Sequence, residues 1–216
     1  MKENYNVQRV SYNATKPFIF DIHYAKRMPS ISYAFGLYLD EDLVGVVTYG
    51  SPPSQSLCVG IAGKKFRGDV LELNRLVLKN NLPNEASLLV SKSLKLLPSP
   101  KIVVSYADSS QNHTGYIYQA TNFIYCGLSE KRTDWIMKGI NKHPRGVKPT
   151  EEMKKDKSKF ELIERARKHR YIYYLGNKKQ KKQFMENFKY EILPYPKTEN
   201  KYYETTFVPN TQMALI

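Results

Sequence analysis

The stretch Val103 to Gly127, VVSYADSSQNHTGYIYQATNFIYCG, constrains the fold more than any other, because three changes of hydrophobic pattern are packed into it. Ile102-Val103-Val104-Ser105-Tyr106-Ala107 is a β-branched run suited to a buried strand, and Asp108-Ser109-Ser110 punctuates it. Gly115 to Ala120 reads as a short helix preceded by His113 and Thr114, and Thr121-Asn122 ends it ahead of a second apolar strand at Phe123-Ile124-Tyr125-Cys126. Such a strand, loop, helix, strand unit delivers Asp108 to a strand end, with His113, Tyr116 and Tyr118 close behind it. Ligands of open α/β sheets usually bind at the carboxyl ends of strands. The unremarkable reading is that Asp108 caps a turn and the tyrosines are half-buried packing residues.

A second strong signal is Val70 to Leu78, where strict alternation predicts a strand. Its phase puts Glu72, Asn74 and Leu76 on one face and Leu71, Leu73, Arg75 and Val77 on the other, so Arg75 is expected among apolar neighbours. A charge so placed needs a partner: either Glu72 or Asp108 in a core ion pair, or a phosphate or carboxylate of a ligand. Upstream, Ser32 to Leu39 and Leu43 to Gly50 form a hairpin around Asp40-Glu41-Asp42, and the region of Gly60, Gly63 and Gly68 is expected to be irregular. Pro17 is expected at the first position of a helix that continues through Asp21, His23 and Tyr24. There His23, Tyr24, Lys26 and Arg27 fall together, either as a solvated helix end or as a metal ligand or proton carrier beside an anionic substrate.

Glu85 to Leu97 has helical spacing, with Leu88, Leu89, Leu94 and Leu97 facing a core. Its entrance at Pro83-Asn84, followed by Ser87 and Ser91, offers free N–H groups and hydroxyls to an anionic cofactor. Asp134 to Met137 adds a further strand, and Lys142 to Lys159 reads as a mobile linker or surface arm. A basic run from Arg165 to Arg170 then meets Tyr171-Ile172-Tyr173-Tyr174-Leu175 and is continued by Lys178, Lys179, Lys181 and Lys182. The last apolar residues, Ile192 to Lys197, and the polar tail look like an extended segment wrapped on the domain. The expected division is therefore a catalytic domain over residues 1–140 and a basic, Tyr-rich extension over 141–216 packed on it.

The chain carries a net charge of +14 and seventeen tyrosines, a balance that suits a polyanionic partner. Double-stranded DNA fits better than a membrane, since no stretch approaches the roughly 20 apolar residues that span a bilayer and the start lacks the apolar core of a signal peptide. Lys26, Arg27, His113, Tyr116, Arg170, Tyr171, Lys178 and Lys179 are the expected DNA contacts. Cys58 and Cys126 have no metal-ligand spacing, which points to a reducing, cytoplasmic setting. The oligomeric state is open, a homodimer being one option.

The order of elements resembles the acetyltransferase-like fold of the GCN5-related family, an α/β (α+β) mixed sheet flanked by helices. In that family the central strand and the helix after it hold acetyl-CoA. Asn80-Asn81-Leu82-Pro83-Asn84-Glu85 lacks the glycines of the family's pyrophosphate loop. Further motifs are more specific: Asp21-Ile22-His23-Tyr24-Ala25-Lys26-Arg27, Tyr33-Ala34-Phe35-Gly36, Leu73-Asn74-Arg75-Leu76, Tyr106-Ala107-Asp108, His113 through Phe123, and Arg170-Tyr171-Ile172. Together they resemble the Mom DNA-modification proteins of Mu-like phages. The resemblance implies conversion of adenine in DNA to N6-carbamoylmethyladenine, protection from host restriction, and dependence on iron. It also implies that Arg75, Asp108 and Tyr118 belong to the active site, with His23 and Tyr24 closing it. His23, Asp108 and Tyr118 offer one nitrogen and two oxygen ligands, a set that suits iron, while a 2-His-1-carboxylate triad would need His113 as well; the donor would be acetyl-CoA or another acyl or glycyl carrier. Two other classes compete: an acetyl-CoA-dependent N-acetyltransferase acting on a protein or small amine, and a DNA-binding module without catalysis.

Overall fold

The computed structural model describes residues 4–139, 151 and 155–196. The centre is a seven-stranded mixed sheet in the order β1-β2-β3-β4-β5-β9-β6. Its strands are β1 (Tyr5–Arg9), β2 (Tyr33–Leu39), β3 (Asp42–Gly50), β4 (Val70–Leu78), β5 (Lys101–Asp108), β6 (Ile124–Leu128) and β9 (Lys168–Leu175). The pair β7 (Arg132–Met137) and β8 (Phe160–Arg165) forms a separate two-stranded sheet. Helices α1 (Tyr12–Pro17), α2 (Gln55–Phe66), α3 (Glu85–Leu96), α4 (Tyr116–Ala120) and α5 (Lys178–Glu186) complete the chain, with a π-helical turn at Phe18–Ile22 directly after α1.

Two apolar layers cover the sheet. On one face α3 sends Leu89, Val90 and Leu94 against Tyr49, Leu71, Leu73, Val103, Phe123 and Tyr171. On the other, α2 and α5 bury Cys58, Ile61 and Phe184 against Val70, Ile102, Val104 and Ile172. Phe18 of the π-turn packs there on Val46 and Val77. No helix among the described residues is long and apolar enough to cross a membrane.

One detail of the sheet positions everything that follows. β4 and β5 run parallel but pair only from Val70↔Ile102 to Leu73↔Ser105. Beyond that point β4 stays with β3 up to Leu78, and β5 stays with β9 up to Asp108. The sheet therefore parts into two halves, and the Ser105 hydroxyl closes the fork by donating to the Leu73 carbonyl at 3.0 Å. Among the described residues no strand pairs with the edge of β4 from Asn74 to Val77 that faces β5, so the two strands diverge toward their carboxyl ends.

Several expectations change in the folded chain. The amino-terminal helix begins at Tyr12, where the Ser11 side chain accepts from the Ala14 N–H, so Pro17 ends α1 instead of opening a helix. The segment around Gly60 is helical, capped by Ser54, but Gly63 (φ 67°, ψ 176°) kinks α2, so the expected irregularity holds at that glycine. At Gly60 a Cβ would fall 2.6 Å from the Tyr190 hydroxyl, so that ring would have to shift. The division at residue 140 does not follow the sheet: β9, from the expected extension, lies between β5 and β6 and pairs with both. A strand hydrogen-bonded on both edges is part of the core, and Tyr171 and Ile172 are fully buried within it. Most of the expected linker and the tail beyond Pro196 lie outside the described residues.

Candidate active site

Arg75 reaches the fork because the alternation of β4 is broken. Tyr49 pairs with Leu73 and Thr48 with Arg75, leaving Asn74 as an extra residue. Such a bulge inverts the phase of every side chain after it. Leu76 therefore joins the α3 layer, while Arg75 and Val77 turn to the opposite face. This corrects the phase read from simple alternation, and the sequence signal was weak because no glycine marks the bulge. Asn74 is held by the Thr48 hydroxyl at 2.6 Å and donates to the Ser30 carbonyl at 2.7 Å.

The Arg75 guanidinium donates to the Asn74 and Arg27 carbonyls at 2.6 and 2.9 Å, and its buried Nε has no hydrogen-bond partner. Burial pulls its pKa below the ordinary arginine value, opposed by the nearby Tyr24 and Glu72. The bond to Arg27 ties the 23–30 loop to β4. That loop begins at His23, which ends the π-turn by donating its backbone N–H to the Phe18 carbonyl.

His23 is half-buried, and its pKa is lowered to about 3, first by burial and then by the charges of Arg75, His113 and Lys168. The imidazole is therefore neutral at physiological pH. Its Nδ1 accepts the Ala25 N–H at 3.0 Å, so the single ring proton sits on Nε2. His23 thus presents a hydrogen-bond donor, with its ring stacked on Tyr24 at 4.4 Å.

Asp108 stands at the end of β5, on the same face as Ile102, Val104 and Tyr106. Its Oδ2 meets the Lys168 ammonium at 2.8 Å, and its Oδ1 accepts the Ser110 N–H at 3.0 Å and the Ser110 hydroxyl at 2.7 Å. Burial would raise this carboxyl, but Lys168 and Ser110 outweigh it and hold the group below the usual carboxylate range. A carboxylate has about four acceptor positions, so about one stays open on Asp108. Burial also lowers the pKa of His113, in the loop after β5, partly offset by Asp108.

His23, Tyr24, Arg75, Asp108 and His113 are thus electrostatic neighbours at the fork, joined by Lys168, which sequence reading left in the basic run. Alternation along β9 could have found it: Lys168, Arg170, Ile172 and Tyr174 share one face, and His169, Tyr171 and Tyr173 the other. Tyr118 belongs to a different layer. Its ring packs on Phe123 and Tyr171 at 5.4 and 5.3 Å, within the α3 face of the core.

The expected metal ligands do not form a set. His23 offers an N–H where a ligand needs a lone pair, Asp108 has about one acceptor position left beside its bonds to Lys168 and Ser110, and Tyr118 packs in the other layer. Among the described residues no group of three His, Cys, Asp or Glu side chains is placed to hold a metal.

The expected cofactor site at α3 is altered as well. Asn84 sits in the left-handed region with φ 70° and makes no side-chain cap. Ser87 and Ser91 donate back to the Asn84 and Leu88 carbonyls. The anion at this entrance is supplied by the chain itself: Glu85, only 3% exposed, accepts the Leu82 N–H and the Tyr5 hydroxyl, each at 2.9 Å. A buried carboxylate there occupies the position favoured by the helix dipole and repels a phosphate.

The expected DNA contacts divide. Lys26, Arg27 and Tyr116 are exposed, the first two in the loop whose Arg27 carbonyl is bound by Arg75. Arg170 is only 9% exposed and stacks on the Tyr190 ring at 4.0 Å, and Tyr171 is buried with its hydroxyl donating to the Thr114 carbonyl. Neither can meet DNA on the surface, because alternation along a central strand turns both inward. Lys178 and Lys179 are exposed on α5, which follows the opposite end of β9. Seven residues of strand put roughly 23 Å between the two ends.

The chain is similar to known proteins along most of its length. It is 28% identical over 204 residues, covering 88% of this chain and 83% of the relative, to methylcarbamoylase mom of Escherichia phage Mu. Among solved structures it is similar to Arabidopsis thaliana NAA60 in complex with acetyl-CoA, with 11% identity, 79% of this chain and 98% of that one covered, and a TM-score of 0.49. A Bacillus subtilis acetyltransferase in complex with CoA gives 11% identity, 80% and 98% coverage, and a TM-score of 0.44. Residues 4–197, which span the forked sheet and every residue of the charge cluster, match the Mom protein family, and the chain belongs to that family.

Proposed function

We propose that this chain is a phage DNA-modification enzyme that converts adenine in double-stranded DNA to N6-carbamoylmethyladenine, in the cytoplasm of a host cell, and so shields the DNA from restriction. The observation that carries the reading is the convergence of His23, Tyr24, Arg75, Asp108 and Lys168 at the β4/β5 fork, in a chain whose family relative is a methylcarbamoylase.

The adenine amino group is a poor nucleophile because its lone pair is delocalised into the ring, and it is reached only when the base leaves the stack. At the fork, the exposed Tyr24 ring, stacked on His23, offers a platform for the displaced purine. The remaining acceptor position of Asp108 lies ready for the amino N–H and orients the nitrogen. A carboxylate held below its usual range is a weak base, but it suffices. Once the N6–C bond forms, the nitrogen becomes cationic and strongly acidic, and the proton passes to Asp108 as the donor's leaving group departs. His23 Nε2–H and Arg75 are donors aimed where negative charge grows on the donor.

The carbamoylmethyl group is joined to N6 through its methylene carbon, so the carrier must offer that carbon to the amino nitrogen and leave with the bonding electron pair; direct acyl transfer would give an amide instead. Glu85 argues that this carrier is not anchored by a pyrophosphate at the α3 entrance. Mass spectrometry of nucleosides from plasmid DNA co-expressed with the chain tests the proposal: a new adenine adduct with the mass of a carbamoylmethyl group is expected, and its absence from DNA isolated with well-folded protein overturns it.

A further inference from the structure

The π-turn exposes apolar side chains that neither the core nor the site chemistry uses. Phe18, 4% exposed, fastens this turn to β3 and β4 through Val46 and Val77, and Ile19 beside it is fully buried. The residues that follow point the other way: Phe20 is 44% exposed, Ile22 45% and Tyr24 50%. Three large apolar or aromatic side chains within five residues make a ridge that costs solubility unless something covers it. π-turns are rare and cluster at functional sites, and this one ends at His23, so Ile22 and Tyr24 flank the imidazole that faces the fork.

The surroundings identify what covers the ridge. Between residues 4 and 39 the basic side chains are Arg9, Lys16, Lys26 and Arg27, and the single acidic one is Asp21, between the two ridge residues. Lys16 sits over the Tyr12 ring at 5.4 Å, and Lys79 over the Phe18 ring at 5.8 Å. An apolar ridge bordered by cations matches a duplex whose base step has been opened: the apolar tip enters the stack and the cations meet the phosphates on either side.

We infer that Phe20 and Ile22 are a wedge that enters the DNA stack and fills the gap left by the extruded adenine, while Tyr24, two residues on, receives that base at the fork. The inference rests on the proposed function, and it adds a part that contacts no reacting atom. Intercalating side chains of this kind offset the cost of unstacking, so their loss matters only where a stack must be opened.

The test compares wild type with the double variant Phe20→Ala, Ile22→Ala on the same adenine in duplex and in single-stranded DNA. Both side chains are exposed, so the variant retains the fold, which circular dichroism and melting verify. The expected result is a loss of about tenfold or more on duplex DNA, with the single-strand rate unchanged within about twofold. In duplexes carrying 2-aminopurine at the target adenine, wild type raises the fluorescence and the variant does not. Equal activity on both substrates overturns the wedge, as does a variant that loses binding to anionic vesicles while keeping duplex activity. If wild type modifies neither substrate, it is the proposed function that fails.

Discussion

The two faces of the sheet use similar residues for opposite ends. On the α3 face, Tyr118, Phe123, Tyr125, Tyr171 and Tyr173 stack within 5.1 to 5.4 Å of one another, and the Tyr171 hydroxyl is held by Thr114 and Gln119. Each such pair contributes about 0.5–1.5 kcal/mol beyond its burial, and the polar groups there are largely satisfied internally. On the opposite face, His23, Tyr24, Arg75, Asp108 and Lys168 form a cluster with capacity left over: a donor on His23, an acceptor position on Asp108 and an unpartnered Nε on Arg75. Spare hydrogen-bonding capacity at the fork, against closed accounts in a core, is what separates a site from packing.

The sharpest way to break this contrast is Asp108→Asn. It keeps the shape and the Ser110 contact but removes the charge that pairs Lys168 and takes the proton. Adduct formation is expected to fall by about 100-fold or more, with a small change in melting temperature; retained activity moves the chemistry elsewhere.

Glu85→Ala should act on stability instead. Removing a buried acceptor leaves the Leu82 N–H and the Tyr5 hydroxyl unsatisfied, at a cost of about 1–3 kcal/mol in denaturant melts. DNA modification below the melting transition should persist, whereas its loss would place a donor at the α3 entrance.

The pH response sharpens the assignment of His23. In the unfolded chain this imidazole takes a proton near its ordinary value of 6.5, but in the folded one only at about 3. The unfolded state therefore binds more protons across that interval, and stability falls as pH drops through it. Asp108, with its folded pKa depressed, adds stability above the ordinary carboxylate range that is lost as pH falls through its folded value, in the same direction. NMR should show the His23 ring untitrated from pH 8 to about pH 4, and the activity profile should have no inflection from it. An inflection near 6.5 that vanishes in His23→Gln would make the ring solvated and a base.

The smallest effect belongs to Tyr118→Phe. A ring packed with Phe123 and Tyr171 should tolerate loss of its hydroxyl, with activity within about threefold of wild type. A large loss would mean that the hydroxyl acts through the fork from the α3 side, and would join the two faces into one site.

Much of this architecture is legible in the chain. The β2–β3 hairpin, β4, α3 and the β5–α4–β6 unit all follow from periodicity and turn residues, because those signals are local and each element lies within about a dozen residues. The same locality placed Asp108 at a strand end and gathered His23 with Tyr24. The glycines at 60 and 63 hid α2: Gly60 packs its backbone close to Tyr190, and Gly63 takes a left-handed φ of 67° that kinks the helix, so the segment reads as a loop.

Sequence alone determined that β2, β3, β4, α3 and the β5–α4–β6 unit would form, and that a carboxylate, a guanidinium and an imidazole were available near their ends. Only the tertiary structure decided that β9 inserts beside β5, bringing Lys168 across 60 residues to Asp108, that the bulge at Asn74 turns Arg75 to the site face, and that Glu85 is buried at the α3 entrance. The physical reason is that periodicity reports how one segment meets a surface, whereas strand order, register and the pairing of buried charges depend on which distant segment supplies that surface.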